Sequence, residues 1–368
     1  MPNISILIPY YNDEKFLKKS IESVLDQSYK DFELVLINHA CTDSSRSIAR
    51  SFDDSRIVHV DLEVNNGAGG GIIFKKFREV ARGQYLKLFC ADDIMKTNCL
   101  EVLYAFMKSN PKLDLVFADE ELINSVGEPL NILWSEKFRD FSCRDTNYDL
   151  LKKYFHKKSF LPLSTCMMKN SVANNIIADN TLINEFDQTL WIQSLINGKN
   201  FGFAKGVLCF YRIHDEQMSC DNGLNRISQY DFYESIIRAK LFFAIRTYSQ
   251  LKCVLGNYRL VGLVSENDSD LFPFIIACYY MENHEDLSCK VAGYEYVHDC
   301  FENEVFIARV KECLGLTISD FRKLYKKLLN PSKITQRLLF EQVGIKKTFY
   351  ELVKKCFEKI FPSKKKMM

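Results

Sequence analysis

The sequence lacks three things that would place it at once in a common class: an excess of charge, a cysteine framework and a long apolar run. Over 368 residues the formal net charge is only +2, so no global positive field points to nucleic acid as a partner. No apolar run approaches the roughly 20 residues that a helix needs to cross a bilayer. Thirteen cysteines are present, but none forms a C-x-x-C, none stands with histidine at zinc-ligand spacing, and the number is odd. They read as reduced packing residues of a cytosolic protein. The opening M-P-N-I-S-I-L-I-P-Y enters a strand directly, without the basic start and apolar length of a secretory signal. A cytoplasmic protein is expected.

What is present is an ordinary globular composition, 47% hydrophobic and 26% charged, with 13% aromatic residues. The length suits one large core or two domains. Short, nearly all-apolar runs at 4–9, 32–37, 56–60 and 85–90 have the pattern of strands buried on both faces of a sheet. Between them lie helical segments, the first marked by Phe16, Leu17, Ile21, Val24 and Leu25 at helical spacing. Thr42 or Asp43 is placed to cap the second helix, 44–52. Strand and helix alternating at this spacing predict right-handed crossovers and a parallel sheet flanked by helices, whose ligands sit at the carboxyl ends of the strands.

The fourth run, Y-L-K-L-F-C-A-D-D (85–93), delivers Asp92 and Asp93 to such an end. Two adjacent carboxylates repel each other and cost desolvation, so they suit a divalent cation that in turn holds phosphate; a solvated turn after a strand is the plainer alternative. The stretch N-N-G-A-G-G-G (65–71) matches neither a dinucleotide fingerprint nor a phosphate loop, because the first should follow the first strand and the second should end in Gly-Lys-Ser/Thr. It serves either as a plain connection or as a binding loop. Lys75 and Lys76 just beyond it can meet a pyrophosphate or simply face solvent.

Several motifs in order resemble the family 2 glycosyltransferases, inverting enzymes of the GT-A fold. They are Pro9-Tyr10-Tyr11-Asn12, Ser23-Val24-Leu25-Asp26-Gln27, the turn from Asn38 to Asp43, Cys90-Ala91-Asp92-Asp93, Val116-Phe117-Ala118-Asp119, the segment from Glu185 to Trp191, and Tyr211-Arg212-Ile213-His214. The resemblance implies a GT-A domain over 1–222, with a Rossmann-like, mostly parallel sheet. It implies a nucleotide-sugar donor, a glycan or lipid-linked acceptor, and Mg2+ or Mn2+ as cofactor. Asp93 is then the expected metal ligand, with His214 beside it, and Asp92 serves the metal or the ribose and sugar hydroxyls. Pro9, Tyr11, Asn38, His39, Asp43, Lys75 and Arg212 fall at nucleotide- or donor-binding positions.

A neutral acceptor hydroxyl needs a carboxylate base within reach. The resemblance puts Asp187 there, four residues before Trp191, with Glu185 as the alternative because Phe186 interrupts the usual Glu-Asp pair. Either could instead cap the helix 188–196. The turn Asn38-His39 departs from the acidic pair common in the family, and Cys90 replaces the first Asp of D-x-D-D, leaving two carboxylates for a cation whose other ligands are phosphate and water. The segment 138–163, rich in Lys, Phe and Tyr, is the expected acceptor side.

From about residue 223 the pattern becomes helical, with segments at 227–248, 271–281, 290–302, 305–314 and 318–329 and no repeat period. In the last stretch, 345–361, Ile345, Phe349, Leu352, Val353 and Phe357 share a face and lysines line the rest, followed by Lys364-Lys365-Lys366. It either lies in an anionic membrane surface, a peripheral contact at the inner face of the cytoplasmic membrane, or docks on the protein with a solvated tail. Two rivals remain. One is a non-catalytic glycan- or nucleotide-binding protein of the same fold with degenerate motifs. The other is a nucleotidyltransferase, against which the first turn Pro9-Tyr10-Tyr11-Asn12 argues.

Overall fold

In the computed structural model, residues 1–323 are described except 66–69, 138–144, 157–160, 180–181, 183–184, 218–225 and 322. The basic stretch 345–368 lies outside the described residues, as do parts of the glycine-rich stretch, of the segment 138–163 and of the helix expected at 318–329. The chain divides into two compact units, Met1–Cys220 and Asp221–Met368.

The first unit is built on one sheet. Strands β1 (Ile4–Tyr10), β2 (Phe32–Asn38) and β3 (Ile57–Asp61) alternate with helices α1 (Leu17–Leu25), α2 (Ser45–Arg50) and α3 (Gly70–Val80), and β4 (Tyr85–Leu88) follows. These four strands pair in parallel, in the order β3-β2-β1-β4. Successive side chains alternate between faces. Ile4, Ile6, Ile8, Leu34 and Leu36 join one core with α1 and α4 (Cys99–Ser109), while Leu7, Val35 and Ile37 point to the opposite face, where α3 meets β2. Burial on both faces is why these runs carry no polar alternation.

Beyond β4 the sheet turns mixed, which the strand pattern did not announce. Strand β5 (Ile94–Met95) comes directly after Asp93, and β6 (Leu115–Ile123), β7 (Pro129–Leu133), α5 (Trp134–Lys137), α6 (Asn147–His156), β8 (Met167–Lys169), α7 (Asn170–Ala173), α8 (Phe186–Ile196) and β9 (Phe201–Arg212) complete the unit. Strand β8 runs antiparallel between β4 and β6, and β5 runs antiparallel to β9. The β6–β9 register shifts between Phe117 and Glu120, the local irregularity that re-aims side chains beside sites. Two consequences position the site. Pairing of Ile94 with Phe210 sets the end of β9 beside Asp92 and Asp93, and pairing of β4 with β8 sets the segment before β8 beside Cys90.

The described residues of the second unit are mainly helical: α9 (Arg226–Leu241), α10 (Tyr248–Leu255), α11 (Phe272–Asn283), α12 (Leu287–Cys300) and α13 (Glu304–Leu314). The single helix expected over 227–248 is broken. A 3-10 turn at Phe242–Ala244 leads to extended backbone at Ile245, Arg246 donates to the carbonyls of Phe243 and Ile245, and Thr247 caps the next helix. Gly293 lets α12 press on α11, since a Cβ there would lie 2.6 Å from the Ala277 carbonyl oxygen. Among the described residues no helix is long and apolar enough to cross a membrane.

Candidate active site

The carboxyl ends of β1 and β2 are tied to each other by their turns. Asn12, in the left-handed region at φ 56°, accepts from the Thr42 backbone N–H at 2.9 Å and donates to its hydroxyl at 3.1 Å. Glu14 accepts from the Ser44 N–H, and Asp43 accepts from those of Ser45 and Glu14. Asp43, one residue before the N-cap Ser44, thus holds the N–H that opens α2 and is engaged with the fold. Asn38 is also committed: it donates to Asp61 at 2.9 Å and accepts from the Cys41 N–H at 2.9 Å. Tyr11 is exposed, and His39 is buried and lies edge-on to the Tyr11 ring at 6.3 Å. Burial holds the His39 imidazole neutral, and its Nε2 has no hydrogen-bond partner among the described residues. Pro9 sits in β1 opposite Ile37; Lys75 is exposed on α3.

At the end of β4 the structure brings together Cys90, Asp92 and Asp93, whose ligand atoms lie within 4.8 Å of one another, with Arg212 and His214 from the end of β9. The two carboxylates differ in burial. Asp93 is 1% exposed and accepts from the Ser164 hydroxyl and from the Arg212 backbone N–H at 3.0 Å. Asp92 keeps 23% of its side chain open and meets His214 Nε2 at 3.1 Å. Arg212, expected to reach a diphosphate, is 1% exposed. Its Nε donates to the Asp92 carbonyl and its Nη1 to the carbonyls of Asn124 and Ser125. It braces the acidic turn, and only Nη2 is without a partner among the described residues.

The electrostatics say what this cluster wants. Burial, and then the charge of Asp92, push the Asp93 carboxyl well above its usual range. Asp13 is pushed up to about 6 by burial, with Asp92 and Asp43 adding to the effect. Burial and both aspartates raise the Cys90 thiol as well, and its soft sulfur suits a hard cation less than carboxylate oxygen does. Carboxylate oxygens crowded with one imidazole fit a divalent ion that accepts O and N donors, and the charge such an ion carries would relieve the crowding.

Four residues that position the site were not singled out from the sequence. Phe16 lies under both β9 groups, its ring 4.5 Å from that of His214 and 5.0 Å below the Arg212 guanidinium. Ser164 binds Asp93 and the Cys90 N–H with its hydroxyl, while its carbonyl accepts from the fully buried Lys87. Asp13 is the fourth. Lys87 alone left a visible signal, a charge inside an apolar strand. Asp187 and Glu185 stand at the start of α8, Glu185 buried and Asp187 half-buried. Asp187 lies close enough to Cys166, just before β8, to add to the burial that raises that thiol. The N-cap residue of α8, Glu185, makes no side-chain cap hydrogen bond, and Asp187 falls in the first turn.

Fold and site together define a sugar-transfer enzyme of the GT-A kind. A family model, "Glycosyl transferase family 2", matches residues 5–176. An uncharacterized glycosyltransferase of Methanocaldococcus jannaschii is 30% identical over 236 residues, 63% of this chain and 77% of that one. The Escherichia coli UDP-Glc:alpha-D-GlcNAc-diphosphoundecaprenol beta-1,3-glucosyltransferase WfaP is 24% identical over 264 residues, 72% of this chain and 95% of the relative. The crystal structure of S. aureus TarS 1-349 shares the fold, with a TM-score of 0.54 at 14% identity over 81% of this chain and 92% of that one. The chain belongs to the family 2 glycosyltransferases.

Proposed function

We propose that the protein transfers a sugar, with inversion, from a nucleotide-sugar donor to a hydroxyl of a glycan or lipid-linked acceptor, assisted by Mg2+ or Mn2+ and by Asp187 as general base. The observation that carries the reading is the Asp92–His214 pair, two ligand-type side chains from strands distant in sequence, 3.1 Å apart at the carboxyl edge of the sheet. Those two would hold the cation, with Asp93 behind them; when bound it would neutralise the diphosphate that leaves. Tyr11 and His39 would face the nucleotide base, the neutral imidazole offering one donor and one acceptor. Arg212 keeps the acidic turn in place and would serve the donor through that turn. Asp187, in the first turn of α8, would take the acceptor proton as the hydroxyl attacks; Glu185 is more deeply buried and is the second choice. WfaP, by its name, makes a beta-1,3 linkage from UDP-Glc on a diphosphoundecaprenol-linked acceptor, which supports a lipid-linked acceptor.

A thermal-shift series with UDP and GDP, each with and without MnCl2, tests the site. A ligand at about 100 times its Kd stabilises the fold by about 2.7 kcal/mol. The metal-dependent part of the rise in Tm should vanish in Asp92→Asn and in His214→Ala. An undiminished metal-dependent shift in both would remove the metal reading. In a transfer assay Asp187→Asn should lose about 100- to 10,000-fold in kcat.

A further inference from the structure

Where α3 begins, the backbone of Gly70 lies against the first turn of α8. A Cβ placed on Gly70 would stand 2.3 Å from Cβ and 2.6 Å from Cγ of Phe186, far inside any real carbon contact. Those atoms are the root of the phenylalanine, not its tip. No rotamer change of Phe186 removes the overlap, so the start of α8 or the start of α3 would have to move. Gly70 has no positive φ, hence the demand for glycine here is steric and not conformational. One turn along α3, Phe74 continues the contact, its ring 5.2 Å from that of Phe186. Phe186 is flanked by Glu185 and Asp187, the two carboxylates considered as the base.

We infer that Gly70 and Phe186 form a steric joint that fixes where α8 presents Asp187, making Gly70 a positioning residue for the transfer step. The inference rests on the reading of Asp187 as base. It gives the last part of the glycine-rich stretch a reason in helix packing, and it gives the break in the Glu-Asp pair a use: Phe186 is the wedge that fills the space beside Gly70.

The test uses the full chain in a Trp134→Phe background, with UDP-glucose and MnCl2 as the hydrolysis probe and the emission of Trp191, then the sole tryptophan, as a second readout. Trp191 is buried on α8 one turn beyond Asp187, edge-on to Phe117 at 4.9 Å, so a shifted α8 alters its emission without any turnover. Gly70→Ala should lower kcat about 10- to 100-fold, the cost of a small misplacement of a catalytic group. KM for the donor should stay within about twofold, and Trp191 emission should change. Adding Phe186→Gly removes the opposing Cβ and should recover at least about tenfold of the lost kcat and the parent emission. Gly70→Ala with parent emission and turnover overturns the joint. So does a double variant no better than Gly70→Ala in folding or in turnover. Asp187→Asn separates the two claims: full hydrolysis in that variant sinks the base alone, and the emission change in Gly70→Ala still decides the contact.

Discussion

Asp92 and Asp93 are neighbours of one residue type, and their surroundings give them different work. Asp93 answers a hydroxyl and a backbone N–H inside the protein; Asp92 answers His214 at the rim. Removing Asp93 as Ala orphans two buried donors, at a cost on the order of 3 kcal/mol, whereas Asp92→Asn, at a half-open position, should change stability by less than about 1 kcal/mol. Urea midpoints of the two variants check this, and an Asp93→Ala protein as stable as the parent would refute the supporting role. The pair itself was legible in the sequence, because two carboxylates after an apolar strand are rare enough to notice. Which one is buried was not, because that depends on Ser164, 71 residues away, and Arg212, about 120 away. Phe16 was legible only as an apolar helix residue; that it underlies His214 and Arg212 requires the β5–β9 pairing.

Among the elements, the edge β2–β3–α2 shows how a strand end is held. Asp61 closes β3 and accepts from Asn38, Arg46 and Arg50, so it fixes the turn on which His39 sits. The Arg46 hydrogen bond, opposed by burial and aided by Asn38 and Arg50, lowers the Asp61 carboxyl from 3.8 to about 2. A depressed folded-state value means that Asp61 stabilises the fold fully above its ordinary range, and that this contribution is lost as pH falls from about 4 through 2. Asp61→Asn should therefore be less stable at pH 7 and should show a shallower loss between pH 5 and 2.5 than the parent. Parallel acid limbs for the two proteins in urea titrations would show that Asp61 contributes nothing through its charge. The four parallel strands were legible because both faces of each are covered, which writes a continuous apolar run. Strand β5, two residues long, and the exposed β7 write no such run. The break after α9 was hidden because Phe242, Phe243 and Ile245 keep the apolar spacing of a helix while Arg246 takes the carbonyls that would continue it.

For the molecule as a whole, the near-neutral total charge conceals an uneven distribution. Eight lysines fall within residues 345–368: Lys346, Lys347, Lys354, Lys355, Lys359, Lys364, Lys365 and Lys366. They accompany a face of Ile345, Phe349, Leu352, Val353 and Phe357 at helical spacing. Each lysine near an anionic leaflet is worth about 1 kcal/mol, and the attraction fades within a Debye length of about 10 Å at 0.1 M salt and about 3 Å at 1 M. We propose that this stretch brings the enzyme to a lipid-linked acceptor. The full chain should then co-sediment with phosphatidylglycerol vesicles at 0.1 M salt, release partly at 1 M, and ignore phosphatidylcholine vesicles; a chain ending at residue 344 should stay in the supernatant throughout. Because the apolar face contributes independently of charge, Phe349→Ser with Phe357→Ser should weaken binding even at low salt. Equal sedimentation of the full and shortened chains would assign residues 345–368 to docking on the protein itself.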